Sequence, residues 1–146
     1  MHMNLKSVFR AAALVTLSCS CAAVAGDALR DEIDRGNQAF VAAIMNGDVE
    51  QAVAGYTETA CVIAPLAENA CGREQILAFW TGVLDSGIGD VRITTGEVGS
   101  SGDLAYATGT LEVTDADGVT HASRYVLVFR KVAGEWKLHL DSWTPS

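Results

Sequence analysis

The stretch THASRYVLVFRKV (Thr120–Val132), followed after Ala133 by GEWKLHLDSW (134–143), decides how this chain folds. In the first run, Tyr125, Leu127 and Phe129 alternate with Arg124, Val126, Val128 and Arg130. Alternate side chains of a strand share a face, so this is a strand with two unlike sides. Ala133-Gly134 suits a tight turn, and the next run returns as a second strand. Strict alternation on that closing strand puts His139, Asp141 and Trp143 on one face. It puts Trp136, Leu138, Leu140 and Ser142 on the other.

Working outward, the preceding hundred residues divide in two. DVRITTGEV (90–98) and LAYATGTLEV (104–113) are joined by GSSGD, and TDADG follows the second. Long runs separated by short Gly-, Asp- and Ser-rich turns imply an antiparallel meander. Upstream the period changes. Leu29, Ile33, Phe40 and Ile44 fall on one helical face between Asp27, a candidate N-cap, and Asn46. Gly47 ends that helix and Asp48 caps a short second one, with Ala52, Val53 and Tyr56 as its apolar side. CVIA (61–64) reads as a short strand and ENAC (68–71) as a small returning arm with Cys61 opposite Cys71. A third helix, REQILAFWTGVL (73–84), carries Ile76, Phe79, Trp80 and Val83 on one face. Three helices followed by such strands imply an α+β domain with helices against one face of the sheet.

Lys6 and Arg10 precede an uncharged run (11–25) that ends in Ala23-Val24-Ala25. That pattern is a cleaved secretory signal, residues 1–25, and it is too short to span a bilayer. A lipoprotein processed at Cys19 fits less well, because leucine stands two places before that cysteine rather than three. Residues 26–146 then form one domain, periplasmic or secreted. The leader holds two of the ten basic residues and none of the eighteen acidic ones, so the remainder carries a formal charge of −10. Such a surface repels phosphate backbones, which argues against a nucleic-acid partner. Cys61 and Cys71 remain as an even pair in an oxidising compartment, and we expect them to form a disulfide.

The runs NQAFVAAIMNGDVEQAVAGYTETACVIAP (37–65), CGREQILAFW (71–80), GDLAYATGTLEVTDADG (102–118) and GEWKLHLDSW (134–143) together resemble the SnoaL-like branch of the nuclear-transport-factor-2-like superfamily. They are similar to its SgcJ/EcaC-type, ketosteroid-isomerase-like members. The resemblance implies a cone: a curved, mixed, mostly antiparallel sheet wrapped by three N-terminal helices, a cystatin-like roll around a deep pocket. It also implies frequent homodimers through the outer sheet face. Functions on one fold diverge, so the reaction has to be read from the site. Ketosteroid isomerase, which serves as a general example of this chemistry, needs a base aspartate and an oxyanion hole of a tyrosine and a protonated aspartate. In alignment those positions fall on Ala64, Phe40 and Leu127 here, and none carries a polar atom. We therefore do not expect steroid isomerisation.

The same alignment places Tyr106, Thr108 and Thr110 inside the cone on one strand and Tyr125, Leu127 and Phe129 inside on the next. On the last strand it selects His139, Asp141 and Trp143, with Phe40, Tyr56 and Trp80 as the opposite wall. An apolar cup with few polar groups suits a small apolar or amphipathic ligand. His139 and Asp141 are the best acid–base pair in the chain. The competing reading is a structural His–Asp bond. His121, His139 and Asp141 are the only candidates for a two-histidine, one-carboxylate metal site, and no tight ligand spacing supports one. Neither a nucleophile elbow nor a dinucleotide-binding glycine motif is present, so no cofactor is implied. Three readings result: a binding domain without turnover, an isomerase, cyclase or dehydratase using His139 and Asp141, or a dimeric assembly domain.

Overall fold

The computed structural model describes residues 20–146, with side chains from Gly26 onward. The expected leader, residues 1–25 with Cys19 and the Ala23-Val24-Ala25 site, lies outside that side-chain description. In chain order the elements are α1 (Ser20–Met45), α2 (Val49–Val53), β1 (Tyr56–Ile63), β2 (Ala70–Cys71), α3 (Arg73–Asp85), β3 (Ile88–Ser101), β4 (Leu104–Asp115), β5 (Thr120–Val132) and β6 (Glu135–Pro145). The six strands form one sheet in the order β2-β1-β6-β5-β4-β3. β1 runs parallel to β6 and every other pairing is antiparallel. The expected α+β roll, three helices followed by a mixed and mostly antiparallel sheet, is the observed architecture.

Local chemistry accounts for most boundaries. Asp48 Oδ1 accepts from the Gln51 amide at 3.0 Å and caps α2. Gly47, at φ 75°, turns the chain between α1 and α2, a conformation that costs other residues more. α3 follows Gly72 without a side-chain cap; instead Gln75 Oε1 reaches back to the Cys71 amide at 2.9 Å. Two expected boundaries differ. The Ala-rich segment before Asp27 continues α1 backward to Ser20, so Asp27 lies within the helix rather than at its cap. β1 begins at Tyr56, ahead of the expected CVIA, because Tyr56 already pairs in parallel with Leu138 of β6, and an irregularity separates that pair from the regular register that starts at Cys61. Tyr56 is therefore the first residue of a strand and not part of the apolar side of α2.

Two apolar clusters hold the layers together. Leu29 and Ile33 of α1 pack over Ala105, Ala107, Leu127 and Phe129 of β4 and β5. The C-terminal part of α1, with α2 and α3, packs Ile44, Val53, Ile76 and Trp80 on Ala60 and Val62 of β1. Leu138 and Trp143 of β6 touch both clusters. Cys61 pairs with Cys71 across β1 and β2, and the two are joined by a disulfide.

Candidate ligand cavity and its buried carboxylate

Between the two clusters the sheet and helices leave a cavity of about 550 Å3. Phe40 of α1, Tyr56 of β1, Trp80 of α3, and Tyr125, Leu127 and Phe129 of β5 border it, as expected from the sequence. Asp141 and Trp143 of β6 complete that wall. The aromatic groups meet edge to face or stacked. Phe40 and Trp80 lie 5.0 Å apart at 71°, and Trp80 and Trp143 lie 6.1 Å apart at 26°. A second, more open cleft of about 450 Å3 lies between α1 and α3, beside Met45, Thr81, Leu84 and Asp85.

Three expected wall residues are elsewhere. Tyr106, Thr108 and Thr110 face the outer side of the sheet. Register explains this: Ala105, Ala107 and Gly109 pair with Phe129, Leu127 and Tyr125, and paired residues share a face. With those three β5 residues inside, the inner face of β4 must be Ala105, Ala107, Gly109, Leu111 and Val113. Gly109 is needed there, since a Cβ would lie 2.5 Å from the Tyr125 hydroxyl and closer still to the Thr94 carbonyl oxygen. On the outside, the Tyr106 hydroxyl donates to Glu97 Oε1.

His139 is the other correction. Val128 pairs with Leu140 but Phe129 pairs with Leu138, so His139 is an extra residue on β6. Such a bulge breaks alternation, and Leu138, Asp141 and Trp143 all border the cavity while His139 does not. Its Nδ1 lies 2.8 Å from Thr57 Oγ1. Burial and the nearby Arg130 charge hold its pKa below the usual imidazole value. The expected His139–Asp141 acid–base pair is thus not formed. Nor do His121, His139 and Asp141 converge, since His121 Nε2 sits 2.9 Å from Asp115 Oδ2 at the cavity rim.

Asp141 instead meets Tyr56. The Tyr56 hydroxyl donates to Asp141 Oδ2 at 2.5 Å and accepts from Trp80 Nε1 at 3.1 Å. An indole N–H can only donate, so the direction of the relay is set: Trp80 to Tyr56 to Asp141. Asp141 is only 8 % exposed. Burial pushes its carboxyl up to about 6, against the opposing pull of the Tyr56 hydrogen bond. Burial, and then the Asp141 charge, raise Tyr56 well above the ordinary phenol value. The site therefore offers one carboxylate that changes charge near neutrality and one phenol that stays protonated. Tyr56 as its partner had no local signal, because the two residues are 85 apart in sequence. The apolar alternation of Val91 and Ile93 on β3, and of Leu111 and Val113 on β4, could have marked those wall residues.

A helix-wrapped, curled sheet closed around a cavity of this kind defines a cystatin-like α+β roll. A SnoaL-like domain matches residues 37–139, and the chain belongs to that family. No functionally curated protein matches significantly. Solved structures show the same fold. A ketosteroid isomerase-like protein from Erwinia carotovora is 24 % identical, with a TM-score of 0.68 over 79 % of this chain and 94 % of that one. An NTF2-like protein of unknown function from Shewanella oneidensis is 19 % identical, with a TM-score of 0.70 over 79 % and 98 %. An NTF2-like protein from Streptomyces avermitilis, provisionally described as a dehydratase, is 19 % identical, with a TM-score of 0.69 over 83 % and 98 %.

Proposed function

We propose that the chain is a small-molecule-binding domain whose ligand, apolar or amphipathic, occupies the cavity with a polar end toward Asp141. The observation that carries this reading is a cavity of about 550 Å3 with mostly apolar and aromatic walls and a single buried carboxylate. That combination of apolar surface and one orienting polar group characterises ligand sites. The uncharged probe N-phenylnaphthylamine tests it. Its fluorescence should rise on mixing with the protein, and Leu111→Trp, which fills the cavity from β4, should abolish the rise. Equal enhancement by both proteins would place the probe elsewhere and defeat the reading.

A second reading is acid–base turnover of the isomerase, cyclase or dehydratase kind. A carboxyl poised at about 6 favours it, with Asp141 as the proton acceptor and Tyr56 as its hydrogen-bond donor in place of His139. The three positions that would serve steroid isomerisation remain apolar: Phe40 and Leu127 border the cavity, and Ala64 packs on the adjoining core. The leader-like residues 1–25 and the Cys61–Cys71 disulfide support export to the periplasm or beyond. No helix among the described residues is long and apolar enough to cross a membrane. A homodimer through the outer sheet face is supported by Leu104, Tyr106 and Val126. These are 48 %, 38 % and 52 % exposed and lie on one side of neighbouring strands. A purely structural, dimeric assembly domain is the reading left if the cavity binds nothing.

A further inference from the structure

The ligand's polar end can be assigned a charge. Among the described residues the ion pairs are Arg73–Glu50, Arg92–Glu112 and His121–Asp115. None reaches Asp141, whose one side-chain partner is the neutral Tyr56 hydroxyl. Tyr56 is committed as a donor to Asp141, because the Trp80 indole already occupies its acceptor side. A buried carboxylate with a single neutral donor is under-compensated: proteins usually pair such a group with a cation. The other charged groups bordering the cavity stand at its edges and are engaged or exposed. Lys137 donates to the Ala54 carbonyl, His121 pairs with Asp115, and Glu135 lies on the surface.

The walls around that carboxylate are aromatic. Trp143, two residues along β6, stacks on Trp80, and Phe40 meets Trp80 edge to face. Phe40 also lies 6.5 Å from Tyr56, so four rings gather at the carboxylate end of the cavity. Ring faces carry negative quadrupole potential and attract cations, most strongly where water is excluded. The formal charge of −10 on residues 26–146 likewise favours approach of a cationic ligand. Resting on the small-molecule reading above, we propose that the cavity takes a small organic cation, an amine or quaternary ammonium on an apolar body, with its charge against Asp141 and the Trp80, Trp143 and Phe40 rings.

An isosteric pair separates charge from shape: naphthylmethylamine, cationic at neutral pH, and naphthylmethanol, which is neutral. Both are titrated calorimetrically into the protein at physiological ionic strength, where screening suppresses the general acidic field. The amine should bind about tenfold or more tightly than the alcohol, and Asp141→Asn should bring the two level. Equal affinities, or tighter binding of the alcohol, would overturn the cation assignment and leave the binding cavity standing. Absence of binding by both compounds would overturn the binding reading itself. A preference for the amine that survives Asp141→Asn would locate the attraction outside the cavity and also defeat the proposal. The comparison within the unaltered protein holds whether or not the variant folds.

Discussion

Tyr56 opens the first strand and Asp141 lies near the end of the last, and parallel pairing of β1 with β6 brings them into a 2.5 Å hydrogen bond. The bond links the strand that follows the helices to the strand that closes the sheet. It also leaves the one buried carboxylate of the cavity with a donor but no counter-charge.

The first consequence is a pH dependence of stability. Asp141 titrates at about 6 in the folded chain, above its ordinary value of 3.8. A carboxyl raised in this way stabilises the fold when protonated. Its contribution is fully present below the unfolded value and is lost as pH rises through about 6. The shift corresponds to roughly 3 kcal/mol at full ionisation. Chemical denaturation should therefore show a gain on moving from alkaline pH toward about pH 5 that Asp141→Asn lacks. His139, with a lowered pKa, acts in the opposite direction, so the difference between variant and parent isolates Asp141. Parallel pH profiles for the two proteins would contradict the assignment.

Tyr56→Phe removes the donor to Asp141 and the acceptor for Trp80 Nε1 together. Leaving two buried polar groups unpaired should cost about 2–4 kcal/mol. The carboxyl, freed from the hydrogen bond that lowers it, should titrate above its present value of about 6. Carbon-13 NMR of the aspartate side chains reads that midpoint directly, and an unmoved midpoint would remove Tyr56 from the electrostatics of the site.

His139→Gln should leave ligand binding unchanged, because the bulge carries this side chain to Thr57 and away from the cavity wall. A stability loss of about 1 kcal/mol is expected for the lost Thr57 bond. A large drop in affinity for any cavity ligand would return His139 to the site.

Cys61 and Cys71 close a loop with a sequence separation of 10. Replacing both by serine should lower stability by about 2–3 kcal/mol, chiefly by freeing the unfolded chain. Denaturant midpoints of the oxidised, reduced and double-serine proteins should show the last two alike and below the first.

Val126→Arg on the outer face of β5 should disrupt the proposed homodimer while sparing the cavity, since Val126 and the cavity lie on opposite sides of the sheet. Sedimentation equilibrium provides the measurement. A parent protein that sediments as a monomer across the concentration range would dispose of the dimer.

Much of the fold was legible in the chain. Helical period upstream, strand period downstream, Gly47 and Asp48 between helices, and Gly-rich hairpins each act over a few residues, so the order of elements follows from local chemistry alone. The inward residues Tyr125, Leu127 and Phe129 could be assigned because their strand is regular. Two features needed the folded sheet. The inner face of β4 is Ala105, Ala107 and Gly109, whose small side chains look like the weaker side of the strand until Tyr125 and α1 press against them. One additional residue at His139 reverses the alternation of β6, and nothing in WKLHLDSW announces it, because a bulge is defined by the partner strand's register. Which segments are helices and which are strands thus follows from periodicity and capping along the chain. That Asp141 faces Tyr56 across 85 residues rather than pairing with His139 is fixed by the folded sheet, since parallel strand pairing and register are set by packing between distant segments.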